Sequence, residues 1–199
     1  MRKRQVAVFY DGPMTPAAEL LRPESVALLV IDVQGKLLPA IWEKDRVVAN
    51  LTKLLHLARI LEIKTLPTTQ YQRGLGATAP EIAALLPSEP LDKSSFGCLG
   101  DAGICRRLEW EVPRSHTLLV AGIETHICVA QTVLGALAAG YGVHVASDAT
   151  SSRSAANVQI GLERMRAAGA VISSTEMAIY ELLGRSDRDE FKQMLPYLK

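Results

Sequence analysis

The chemistry in this 199-residue chain starts at one thiol. Cys128 lies in the stretch LLVAGIETHICV, residues 118–129. Its apolar opening, Leu118 to Ala121, reads as a buried parallel strand. Gly122 and the polar turn Ile123-Glu124-Thr125-His126 follow, and Cys128 opens a helical pattern. A thiol at a helix N-terminus meets unpaired N–H groups and the positive end of the helix dipole. Both favour thiolate, so a pKa below the ~8.5 of a free thiol is expected. A thiolate there is a nucleophile, and the same N–H groups offer a seat for a developing oxyanion. The bland alternative is an inert core cysteine. Asp32 ends the run SVALLVID, and carboxylates at the C-terminal tips of central strands stand where open α/β sheets bind ligands. Its bland alternative is a turn cap. Lys93 sits in the short extended piece PLDKSSFG. A lone lysine in a loop is solvated, unless that loop crosses the strand tips near Asp32 and Cys128.

Three such groups meet only if the intervening elements carry them to one edge. Residues 25–33 are β-branched and apolar without alternation, as in a central strand covered on both faces. Residues 45–61 have apolar side chains at helical spacing, from Val47 to Leu61. A strand over 63–69, a helix over 101–111 with Cys98 and Cys105 packed beside it, and a helix over 127–139 closed by Gly140 come next. A strand over 143–147 ends at Asp148, and a loop over 150–153 leads to Ser154, the N-cap of a helix over 155–168. A last strand over 170–173 and helices over 177–183 and 187–195 complete the chain. Residues 1–24 read as an arm, with a short strand at 5–10, and residues 25–199 as one domain. Strands alternating with helices predict an α/β fold: a three-layer α/β/α, doubly wound parallel sheet of Rossmann-like type. Right-handed crossovers place Asp32, the loop after residue 69, the 124–128 turn and residues 148–153 on one edge. The G-x-G-x-x-A match at Gly74, Gly76 and Ala79 is no dinucleotide fingerprint. It does not follow the first strand, and Pro80 opens only a short helix behind it.

Composition sets the outer bounds. Hydrophobic content of 48% and a net charge of +1 suit a globular chain without a strong pull toward nucleic acid or a membrane surface. No apolar run approaches the ~18 residues of a membrane span, and no apolar stretch follows the basic start as in a signal peptide. Three cysteines without a C-x-x-C give no zinc signature and suit a reducing, cytoplasmic setting.

Three motifs then fall in order: Asp32-Val33-Gln34 at a strand end, Lys93-Ser94-Ser95-Phe96, and Gly122-Ile123-Glu124-Thr125 leading to Cys128-Val129. Together they resemble the isochorismatase-like cysteine hydrolase family from about residue 25 onward. Details such as Glu124-Thr125-His126 before Cys128, and the run from Asp148 to Ser154, look most like its isochorismatase-domain-containing branch. The resemblance implies the isochorismatase-like hydrolase fold and a catalytic triad of Asp32, Lys93 and Cys128. It also implies a cis peptide at Ile123–Glu124, ahead of Thr125, that turns backbone N–H groups toward an oxyanion. The reaction it implies is hydrolysis of a small amide or related C–N bond through a thioester. Asp32 acts as base and Lys93 holds both anions. Nicotinamidases of the family bind a metal after the second strand. Thr69-Gln70-Tyr71-Gln72 offers no such ligand set, so no metal and no cofactor are expected. A small-molecule substrate, a homo-oligomer (dimer or higher) and no nucleic-acid or membrane partner complete the expectation. Gln34, Gln70, Tyr71, Phe96 and Arg153 are the residues expected to line the substrate site. Arg153 is more simply a salt-bridge partner, and Trp42 either joins the pocket wall or packs on the next helix. His126 is expected to serve packing. Three alternatives stay open: a non-catalytic scaffold on this fold, a vinyl ether hydrolase of isochorismatase type, and a redox-sensing thiol with Cys98 or Cys105 as its partner.

Overall fold

A computed structural model describes residues 19–198 of the chain. The arm expected at 1–24, with its strand at 5–10, falls mostly outside those residues. Leu21 is buried, and its N–H donates to Glu181 Oε2 at 3.0 Å. The first strand, β1 (Val26–Ile31), is buried at every position. Its side chains alternate between two cores, with Val26, Leu28 and Val30 on one face and Ala27, Leu29 and Ile31 on the other. Two apolar faces force this strand into the middle of a sheet. The other strands are β2 (Lys64–Gln70), β3 (Leu91–Lys93), β4 (Thr117–Ile123), β5 (Gly142–Ser151) and β6 (Val171–Ser173). They lie in the order β3-β2-β1-β4-β5-β6, and every neighbouring pair is parallel. This is the doubly wound sheet that the alternation of elements predicts.

Helices cover both faces. The helices are α1 (Lys44–Ile60), α2 (Gln72–Leu75), α3 (Pro80–Ala83), α4 (Ala102–Glu111), α5 (Ala130–Ala138), α6 (Ala155–Ala167), α7 (Thr175–Leu183) and α8 (Asp189–Leu198). Val47, Leu51 and Leu54 of α1, Ile179 and Leu182 of α7 and Met194 of α8 fill one core. Ile104 and Leu108 of α4, Val133 of α5 and Met165 of α6 fill the other. Side chains cap three helix starts: Asp101 accepts from Gly103 and Ile104 N–H, Ser154 from Asn157 N–H and Ser174 from Met177 N–H.

The short extended piece expected around Lys93 is β3, where Lys93 pairs with Gln70. One element differs from the sequence expectation. The fifth strand runs four residues past Ser147, because residues 146–149 bulge out and Thr150 and Ser151 rejoin Gly122 and Ile123. Asp148 sits in that bulge and turns to the start of α7, accepting from Thr175 N–H at 2.7 Å and Oγ1 at 2.8 Å. It is a cap and no site residue.

Candidate active site

The chain leaves β1 at Asp32 with φ +52, a left-handed turn that halts the strand. Beside it, β4 reaches Gly122, paired with Ile31. A Cβ at Gly122 would lie 2.1 Å from the Ile31 carbonyl oxygen, and φ is +124, so only glycine fits. The close approach of β1 and β4 brings the turn after β4 to the tip of β1. That turn contains the cis peptide Ile123–Glu124. A wide π-helical turn, Thr125–Val129, follows and continues into α5. Cys128 sits within this turn, just ahead of the regular helix that starts at Ala130.

Asp32, Lys93 and Cys128 meet there. Lys93 Nζ donates to Asp32 Oδ2 at 2.6 Å, with both side chains wholly buried. Thr68 Oγ1 donates to Asp32 Oδ1 at 2.8 Å, so each carboxylate oxygen has its own donor. Lys93 gives a second hydrogen bond to Gln70 Oε1 at 2.8 Å. Asp32 neighbours the Cys128 thiol, and its negative charge disfavours loss of the thiol proton. All three residues are buried, and Cys128 is the least so: it is 7% exposed, Asp32 0% and Lys93 2%. A buried lysine and aspartate must pair, since an isolated buried charge costs several kcal/mol. Here the pair stands beside the Cys128 thiol, and its charges act on that thiol.

The thiol is no resting thiolate. Burial, then the charge of Asp32, pushes its pKa up to about 12, and Lys93 only partly opposes this. The expected fall at a helix N-terminus is overturned. Removal from water and a neighbouring anion outweigh the helix dipole, an effect of at most ~2 kcal/mol. Cys98, wholly buried beside Thr68, is pushed up to about 11 by burial.

The other expected site residues divide. Gln34 spends its amide on the protein: its Oε1 accepts from Gln70 N–H at 2.8 Å, and its Nε2 donates to the Gln70 and Gly76 carbonyls at 3.2 and 2.6 Å. Gln70 likewise gives both amide ends to the protein, to Lys93 and to Ser94 O at 2.9 Å. A buried amide satisfies its donors and acceptors first, which makes both glutamines braces for Lys93. Tyr71 and Phe96 are exposed on the segments that flank Lys93, and Tyr71 N–H donates to Lys93 O at 2.8 Å. Arg153 is the salt-bridge partner of Glu124, donating from its backbone N–H and Nε to Oε2 at 3.0 and 3.1 Å. Its guanidinium reaches solvent. Thr125 Oγ1 bonds Thr150 Oγ1 at 3.0 Å, and Thr150 in turn donates to Gly122 O at 2.7 Å. His126 Nδ1 bonds the buried Ser152 Oγ at 2.9 Å, and Ser152 O accepts from Trp42 N–H at 2.9 Å. Both residues brace the turn.

The residues at the end of β2 do not fit a metal. Thr69 Oγ1 donates to Asp92 Oδ1 at 3.0 Å, and Gln70 is committed to Lys93 and Ser94. Among the described residues, no three His, Cys, Asp or Glu side chains gather as a ligand set.

Sequence reasoning missed three positions. Thr68 is one of three threonines in β2, with nothing local to single it out. Thr132 accepts from Cys98 N–H at 3.0 Å and donates to Cys128 O at 2.6 Å, tying the segment after β3 to the turn that carries Cys128. Gly161 lets α6 press on that turn, since a Cβ there would lie 3.1 Å from Thr125 O. A glycine inside a helix costs about 1 kcal/mol against alanine, and that was the available signal.

A parallel sheet with a Cys, Asp and Lys at its C-terminal edge defines a hydrolase-like α/β protein, and similarity to known proteins makes that specific. The Isochorismatase domain family model matches residues 26–177. The chain therefore belongs to the isochorismatase family. The secreted isochorismatase effector Isc1 of Phytophthora sojae is 37% identical over 90% of this chain and 87% of its own length. Isochorismatase domain-containing protein 2 of Bos taurus is 33% identical over 92% and 88%. Among solved structures, the MAR1 ribonuclease from Caenorhabditis elegans superposes with a TM-score of 0.83 at 33% identity, covering 90% of this chain and 92% of that one. The Escherichia coli YcaC gene product, described as an octameric hydrolase of unknown specificity, gives 0.81 at 25% identity over 90% and 93%.

Proposed function

We propose that this chain is a metal-independent cysteine hydrolase acting on a small amide or related C–N bond. The observation that carries the reading is the buried Lys93–Asp32 ion pair beside the Cys128 thiol. With the thiol protonated at rest, attack and proton transfer go together. Asp32 takes the Cys128 proton as sulfur bonds the substrate carbonyl carbon. The C=O pair moves to oxygen, and N–H groups at the start of the 125–129 turn receive the oxyanion. Each such donor is worth about 2.7–4 kcal/mol. On collapse the C–N bond breaks, and Asp32 returns its proton to the leaving nitrogen. Water, deprotonated by Asp32, then splits the thioester and restores the thiol. Lys93 keeps Asp32 in place throughout and offsets the negative charge of the site.

A homo-oligomer is part of this reading, supported by the E. coli relative, which is described as octameric. A cytoplasmic setting is supported by three free cysteines. Opposite charges in near balance, 22 Lys and Arg against 21 Asp and Glu, favour a small molecule over nucleic acid.

The test is trapping. The protein is incubated with a panel of small amides and with p-nitrophenyl acetate as an acyl donor, and intact mass is read over time. An acyl adduct on Cys128 that is labile to hydroxylamine, slow to form in Asp32→Asn and absent in Cys128→Ala supports the reading. Adducts spread evenly over Cys98, Cys105 and Cys128, with no amine released from any amide, would overturn it.

A further inference from the structure

The fourth partner of the site is Thr68. It is buried and grips Asp32 twice: its carbonyl accepts from Asp32 N–H at 3.2 Å, and its hydroxyl donates to Asp32 Oδ1 at 2.8 Å. A threonine hydroxyl has one proton to give. Cys98 Sγ approaches the same oxygen as a donor at 3.9 Å, which leaves the Thr68 proton for Asp32. The titratable groups facing Asp32 are Lys93 from β3, Cys128 from the π-helical turn and Cys98 from the segment after β3.

We propose that Thr68 is a positioning residue that keeps the resting proton of the site on the Cys128 sulfur. This rests on Asp32 being the proton acceptor of Cys128. One proton is shared between the two. Either the thiol faces a carboxylate, or a thiolate faces a carboxylic acid. A donated hydrogen bond favours the charged carboxylate, so Thr68 and Lys93 together bias the pair toward thiol. The nucleophile stays unreactive until a substrate carbonyl draws the proton across. Without the Thr68 hydroxyl, Asp32 holds the proton more readily and the thiolate population rises.

Limiting iodoacetamide, read by intact mass from about pH 5 to 9, tests this without a substrate. In Thr68→Val, Cys128 is expected to label on the order of ten-fold faster near neutral pH, the effect of one hydrogen bond to a charged group. Thr68→Ser keeps the donor and is expected to match the wild type. Cys98, which shares Thr68, is the control for a loosened site and should stay unlabelled. Thr68→Ala makes the same test if Thr68→Val fails to fold. Wild-type labelling of Cys128 in the donor-less variants would overturn the proposal, as would labelling of Cys98 alongside it. Asp32→Asn separates the two claims. If it changes the Cys128 profile while Thr68→Val does not, the proposal alone fails. If it leaves the profile unchanged, Asp32 does not govern Cys128, and the hydrolase reading falls with it.

Discussion

Two ion pairs in this molecule have the same length and opposite surroundings. Lys93–Asp32 and Arg185–Asp187 each close at 2.6 Å. By geometry the second is better bonded, because Arg185 Nε and Nη2 take the two Asp187 oxygens at 2.8 and 2.6 Å. Yet its side chains are 58% and 65% exposed, and those of the first are 0%. Water competes for the surface pair and ions screen it, so a short distance there says little about stability. The Lys93 and Asp32 side chains are closed off from bulk solvent. Thr68, Gln70 and, behind them, Gln34 complete the hydrogen bonds that the ion pair alone leaves open. Burial and bracing turn an ordinary contact into a fixed charge arrangement.

Removing one half of each pair sharpens the contrast. Lys93→Met is expected to lose about 3–5 kcal/mol in urea unfolding, because Asp32 is left buried without its partner. Adding Asp32→Leu to that variant is expected to recover most of the loss while leaving no activity. A double variant as unstable as the single one would mean that packing, and not charge, dominates the site.

His144 offers a smaller effect of the same kind. It is buried on β5 with Nδ1 unpartnered, and burial lowers its pKa from 6.5. The unfolded chain then binds a proton that the folded one resists. Stability contributed by the neutral ring is present above the unfolded pKa of 6.5 and is lost as pH falls below it, toward the folded pKa. Urea midpoints at about pH 7 and pH 5 should differ more in the wild type than in His144→Leu. Equal differences would remove His144 as the cause.

Arg185→Ala is expected to leave the urea midpoint unchanged, at low salt and at high salt alike. A clear loss that salt abolishes would show that the surface pair carries weight after all.

How far the chain announces itself differs from part to part. The two-faced apolar runs at 26–31 and 118–121 force a covered parallel sheet, because such strands have no polar side to show to water. The motifs around Asp32, Lys93 and Cys128 point to the site, and Gly122 marks the close approach of β1 and β4. The braces are hidden. Gln34 and Gln70 look like substrate ligands in sequence, since nothing local tells a buried amide from an exposed one. Thr68 and Thr132 look like ordinary residues of a strand and a helix.

What the sequence by itself determined is the order of elements, the edge on which they end and the residue types that meet there, all properties of local pattern and chain direction. Only the tertiary structure decided the electrostatic state of the site. The Cys128 sulfur lies beside a buried pair, largely removed from water and near an anion, and these push its pKa up to about 12. A helix N-terminus favours thiolate wherever it stands. Desolvation and neighbouring charge depend on what the whole fold packs around the sulfur, and here they win.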